Sequence, residues 1–186
     1  MPFLLASESR SPEETFRLGR EIGLRLVQVP ERGASSVLAL IGELGGGKTT
    51  FTKGLAAGLG VKDYRLVTSP TFVLKQVYEG ARRILHYDAY RLQGERELLS
   101  LGFEEDLATG AVVVIEWADR VLAAIPETAL MVEFEHDVEA PPARRESSVR
   151  RSTALPEDPG RRRLTFRGER TRWEELIEES IASSGA

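Results

Sequence analysis

The chain has 186 residues, of which 41% are hydrophobic and 29% charged, with a formal net charge of −4. That length suffices for one well-buried domain, and the negative balance provides no global basic field to draw in nucleic acid. The absence of cysteine excludes disulfides, thiolate zinc sites and thiol catalysis.

The opening MPFLLASESRSPEE has a very short apolar run followed by acids, which is not the pattern of a secretion leader. No stretch reaches the roughly 18 apolar residues of a membrane span. The expectation is a cytoplasmic protein without a membrane partner, monomeric when isolated.

In chain order, Ser11-Pro12-Glu13-Glu14 reads as a helix start, with a capping residue, a proline and a returning glutamate; the helix should run to about Leu26. SSVLALIG, ending at Gly42, is a short apolar run between small residues and reads as a buried strand. A helix should follow from Lys48 to Leu59, ended by Gly58 and Gly60. Residues 71–80 and 82–92 read as two strands of a hairpin turning at Gly80. A helix is expected over 95–107. AVVVIEW, 111–117, is the most apolar strand, as a central strand covered on both faces should be. A short helix over 118–124, strands over 128–137 and 161–169, and a helix opened by a Thr171-x-x-Glu174 capping box complete the pattern. That last helix would present Trp173, Leu176, Ile177 and Ile181 on one face. Residues 138–160, rich in proline and serine, read as a long mobile loop inside a single domain. The alternation of strands and helices points to a mixed α/β sheet with helices on both faces.

The chemistry centres on GELGGGKTTF, residues 42–51. Gly42-x-x-x-x-Gly47-Lys48-Thr49 matches the phosphate-loop pattern, with an apolar strand ending where it begins and a helix beginning where it ends. Glycines at 42, 45, 46 and 47 let backbone N–H groups approach anionic oxygens, and the helix N-terminus adds positive potential. Glu43, Leu44, Gly45, Gly46, Gly47, Lys48, Thr49 and Thr50 are therefore the expected nucleotide-binding residues. Lys48 would contact the β- and γ-phosphates and the Thr49 hydroxyl would bind Mg²⁺. Glu116, directly after VVVI, is the candidate carboxylate for the ion, and Asp88 in HYDAYRL is a second acid at a strand end. The sequence leaves open which of the two orients water and which supports Mg²⁺. The usual guanine-reading motif needs an asparagine and the chain has none, which argues for ATP.

Other residues carry weaker signals. Arg91, near Asp88, reads as a structural ion pair rather than a catalytic charge. Thr71 could sense a γ-phosphate or simply follow proline in a turn. Trp117 reads as core packing, with stacking on adenine or a partner as the alternative. His86 reads as a strand residue with no metal role, because no second ligand accompanies it. The seven arginines between 141 and 163 read as a solvated loop, with contact to nucleic-acid phosphates as the alternative.

Taken together, GELGGGKTTFTKGL, SPTFVL, HYDAYRL and VIEWADR, in this order, resemble the TsaE family of small bacterial ATPases needed to make threonylcarbamoyladenosine in tRNA. The resemblance runs from about Ser11 to Arg120. It implies a P-loop NTPase-type three-layer α/β sandwich with a mixed, largely parallel central sheet. It also implies ATP and Mg²⁺ as cofactors, and TsaD and TsaB as partners that carry out the transfer, with tRNA reached through their complex. Asp88 matches the family's essential aspartate, Glu116 its Walker B-like acid, and Ser69-Pro70-Thr71-Phe72 a switch-like loop.

Overall fold

The computed structural model describes residues 1–29, 35–136 and 161–185. The segment expected to be a mobile loop, 138–160, lies outside the described residues. No helix among the described residues is long and apolar enough to cross a membrane.

A seven-stranded mixed sheet in the order β1-β7-β6-β2-β5-β4-β3 organises the chain. Its strands are β1 (Pro2–Ser9), β2 (Ser36–Gly42), β3 (Lys75–Tyr78), β4 (Ile84–Asp88), β5 (Val112–Glu116), β6 (Leu130–His136) and β7 (Arg162–Glu169). The central run β6-β2-β5-β4 is parallel, while β1, β7 and β3 attach antiparallel at the flanks. Every residue of β5 is buried, which is why VVVIE carries no polar alternation.

The helices are α1 (Pro12–Gln28), α2 (Lys48–Gly58), α3 (Glu95–Ser100), α4 (Phe103–Leu107) and α5 (Arg170–Ser184). Period-two alternation along the strands sorts the core into two layers. Leu38, Leu40, Val112 and Val114 meet Leu18, Ile22, Phe51, Leu55, Trp173 and Ile177 of α1, α2 and α5. On the opposite face Val37, Ala39, Val113 and Ile115 meet Leu98, Phe103 and Val121 from α3, α4 and the turns after β5. The result is helix, sheet, helix.

The start of α1 is set by Ser11, whose Oγ accepts the Glu14 N–H at 3.2 Å while the Glu14 carboxylate accepts the Arg10 N–H at 2.7 Å. Helices α1 and α2 touch backbone to backbone. A Cβ on Gly54 would stand 2.0 Å from the Phe16 carbonyl oxygen, and one on Gly19 would stand 2.3 Å from that of Phe51. Backbone cannot yield as a flexible side chain can. Gly54→Val should therefore cost about 1–3 kcal/mol or more in a urea titration. An unchanged midpoint would show that α1 and α2 are not held this closely.

Several expectations are revised. The N-terminal residues, considered only as a leader, form β1. The expected helix over 95–107 is two short helices, because Gly102 at φ 80° breaks it. The strand expected from Thr71 begins only at Lys75, since the chain turns through Pro70–Leu74 with the Leu74 N–H on the Pro70 carbonyl. The helix expected over 118–124 is two 3-10 turns. The capping box at Thr171 is not made: α5 starts at Arg170, and the Thr171 hydroxyl donates backwards to the Glu169 carboxylate at 3.0 Å.

Candidate functional site at the end of the parallel strands

Strand β2 ends at Gly42 and α2 begins at Lys48, so the intervening loop caps the helix from the sheet side. Gly42, Gly45 and Gly47 have φ of 144°, 80° and 100°, a region that side chains strain to enter. At Gly42 space is also limiting, because a Cβ would stand 2.5 Å from the Phe134 carbonyl oxygen. At Gly47 it would meet the Arg162 Nη1 at 2.4 Å. Arg162 is 2% exposed, so at least this arginine of the 141–163 stretch is not on a solvated loop. Glu43, Leu44 and Gly45 form the exposed crest of the loop, while Gly47, Thr49 and Thr50 are half-buried.

Lys48 is 4% exposed. Its Nζ donates to the carbonyls of Gly42 at 2.6 Å and Glu43 at 2.8 Å, and lies 4.0 Å from the centre of the Trp117 ring. Burial lowers the lysine pKa from its ordinary value, against the opposing pull of Glu116, Asp119, Asp88 and Glu43.

The two acids arrive on neighbouring strands. Asp88 ends β4 and Glu116 ends β5, and their Cα atoms are register partners. The two-residue period sends both to the sheet face that carries α2. Asp88 is 1% exposed and Glu116 2%. Glu116 Oε2 accepts from the Thr49 hydroxyl at 2.9 Å. Its Oε1 meets His86 Nε2 at 3.0 Å and the Thr52 hydroxyl at 3.4 Å. Asp88 faces a different element. Its Oδ2 accepts from Ser69 and, at 2.8 Å, from Thr71, and its Oδ1 accepts the Tyr90 N–H at 2.8 Å. Asp88 thus fastens the 69–71 turn, and Glu116 fastens the first turn of α2.

Backbone strain concentrates here. The only described non-glycine residues with positive φ are Leu74 at 64° and Trp117 at 58°, one after each acid-bearing or acid-bound segment. Trp117 is half-buried and packs on Tyr90 with ring centres 5.0 Å apart. Arg91 does not form the expected ion pair with Asp88; its guanidinium lies over the exposed Phe72 ring, 4.7 Å from the centre.

Thr52 escaped the sequence reading, Ser69 was named only as part of a switch-like loop, and His86 was read as a strand residue without a site role. Two had a signal. Thr52 is three residues beyond Thr49 and so shares its helix face, and His86 is two residues before Asp88 and so shares its sheet face.

The model of the family described as threonylcarbamoyl adenosine biosynthesis protein TsaE matches residues 9–146. The tRNA threonylcarbamoyladenosine biosynthesis protein TsaE of Treponema pallidum is 41% identical over 126 residues, 68% of this chain and 87% of the relative. The protein of the same name from Bacillus subtilis is 42% identical over 97 residues, 52% of this chain and 59% of the relative. The crystal structure of Bacillus subtilis YdiB superposes with a TM-score of 0.67 at 27% identity, covering 100% of this chain and 99% of that one. The fold is accordingly of the P-loop NTPase type. The match across the phosphate loop, both acids and most of the chain establishes that this protein belongs to the TsaE family.

Proposed function

We infer that the protein is an ATP hydrolase of the TsaE type, accessory to the threonylcarbamoyl modification of tRNA adenosine and acting with TsaB and TsaD. The observation that carries this reading is the direct bond between Thr49 of the phosphate loop and Glu116 of β5, with Asp88 one strand away.

The donor set suits Mg²⁺. The ion prefers oxygen ligands and takes one or two carboxylates plus substrate phosphates rather than an all-protein cage. Thr49 and Glu116 supply a hydroxyl and a carboxylate side by side, and no cluster of three or more His, Cys, Asp or Glu able to hold a metal occurs among the described residues. When bound, the ion would neutralise charge on the β- and γ-phosphates. Thr49 and Glu116 would hold it.

The chain's own residues would do the rest. The loop amides and the α2 N-terminus bind the phosphates. Lys48, now on the Gly42 and Glu43 carbonyls, would exchange those acceptors for phosphate oxygens, a charge-assisted and stronger bond. Asp88, the acid not engaged with Thr49, orients the attacking water. Phosphoryl transfer relies mainly on placed positive charge. Arg91 and Arg120, the exposed arginines near the site, are turned onto the rings of Phe72 and Tyr90. A rate that depends on partners follows if the missing charge arrives from TsaB or TsaD, since such an arginine is worth on the order of 10³ to 10⁵ in rate.

The test is a γ-labelled ATP chase with the purified chain, TsaB, TsaD and tRNA. Label is expected in inorganic phosphate, faster with the partners than without. Label in an organic acceptor would instead make the protein a kinase.

A further inference from the structure

His86 lies at the centre of β4 and is 0% exposed. A buried imidazole in an apolar layer is costly unless its nitrogens are bonded. Here only one is: Nε2 is 3.0 Å from Glu116 Oε1, while Nδ1 is buried with no hydrogen-bond partner. The pairing assigns the tautomer. A proton on Nε2 gives a hydrogen bond to the carboxylate. A proton on Nδ1 would leave a buried donor unmade and set two acceptors against each other.

That bond has a consequence for Glu116. A carboxylate at the end of a side chain can turn about its terminal bond. His86 takes Oε1, from the sheet side, and the Thr52 hydroxyl approaches the same oxygen at 3.4 Å. Oε2 is thereby left facing Thr49. An apolar residue would fill position 86 without leaving an unbonded ring nitrogen, so the histidine's contribution is the aim of Glu116 rather than packing.

We propose that His86 is the positioning residue for Glu116: its Nε2–H fixes the carboxylate so that one oxygen meets the Thr49 hydroxyl, the pair that would hold the metal. The proposal rests on the reading that Thr49 and Glu116 support Mg²⁺.

Calorimetric titration of ATP, once with Mg²⁺ and once with EDTA, tests it on the full chain. Gln places an amide N–H at about the reach of ring Nε2, whereas Asn reaches only as far as Nδ1. His86→Asn and His86→Leu should lose about 10- to 100-fold of the metal-dependent gain in ATP affinity, a usual range for outer-shell partners. Metal-free affinity should be unchanged, because the loop amides and Lys48 remain, and His86→Gln should restore the gain. A full metal-dependent gain in His86→Leu overturns the proposal, as does an equal loss with and without the metal, which is what mere misfolding gives. If His86→Leu does not fold, the Gln and Asn variants decide: equal behaviour overturns it. Failure of the underlying reading is distinct, because then the wild-type chain gains nothing from Mg²⁺ and Glu116→Gln changes nothing.

Discussion

Lys48→Ala is expected to abolish measurable ATP binding while leaving the fold intact. The lysine is buried inside the phosphate loop, and no carboxylate of the described residues is in direct contact with its ammonium; it rests on two backbone carbonyls and an indole face. Those neighbours offer weaker acceptors than a phosphate oxygen, so the charge is available to a ligand at low cost. Two charge-assisted bonds to the β- and γ-phosphates amount to about 3–6 kcal/mol, on the order of 10² to 10⁴ in affinity. Removal leaves the Gly42 and Glu43 carbonyls to bond with water at the loop, so only modest destabilisation should accompany the loss. Calorimetry with ATP, beside a thermal melt, measures both. Wild-type affinity in Lys48→Ala would mean the loop does not wrap phosphate.

The parts of the fold legible beforehand were those with a strong local cause. The cap at Ser11 is a chemical signature in four residues, and β5 is a run of β-branched residues too apolar for any other place than mid-sheet. The strand β1 had no such cause. Its PFLLASES does not alternate in polarity although its burial does: Phe3 is buried, the equally apolar Leu4 is 69% exposed, and the strand exists because β7 offers it a full antiparallel ladder. That is a tertiary decision, invisible in a window of eight residues. The helix over 95–107 failed for the opposite reason, a local signal passed over, since Gly102 in the left-handed region ends one helix and starts the next.

The site divides in the same way. The phosphate loop is contiguous in sequence, so its residues were readable together. Glu116 and Asp88 are 28 residues apart and became candidates only because each closes an apolar strand; their registration as neighbours comes from the parallel pairing of β4 with β5. His86 was set aside as a lone histidine without a second metal ligand. Its spacing from Asp88 puts it on the same sheet face, but its hydrogen-bond partner is a carboxylate on the neighbouring strand, brought there by the pairing of β4 with β5. Arg91 was assigned to an ion pair by proximity along the chain, whereas the exposed Phe72 ring is what its guanidinium covers.

Substitution of either acid should sharply lower hydrolysis while sparing metal-free ATP binding, and the two should fail differently. Glu116 meets the Thr49 hydroxyl and the fully buried His86 Nε2, so truncation to Ala would strand the His86 donor at about 1–3 kcal/mol. Glu116→Gln keeps the shape and removes the charge, and is the cleaner variant. It should raise the Mg²⁺ requirement and lower turnover together, since this is the carboxylate that accepts from the Thr49 hydroxyl. Asp88→Asn should leave the Mg²⁺ requirement in place and lose turnover by about 10²- to 10⁴-fold, the range for a positioned acid–base group. Asp88→Ala should also release the 69–71 turn, whose Ser69 and Thr71 hydroxyls it holds, so faster proteolysis between Leu66 and Lys75 is expected in that variant. Steady-state phosphate release across a Mg²⁺ series, with tight binding checked by calorimetry, separates the two roles. Identical Mg²⁺ profiles for Glu116→Gln and Asp88→Asn would remove the division of labour between them, and full turnover in both would remove the acids from the chemistry altogether.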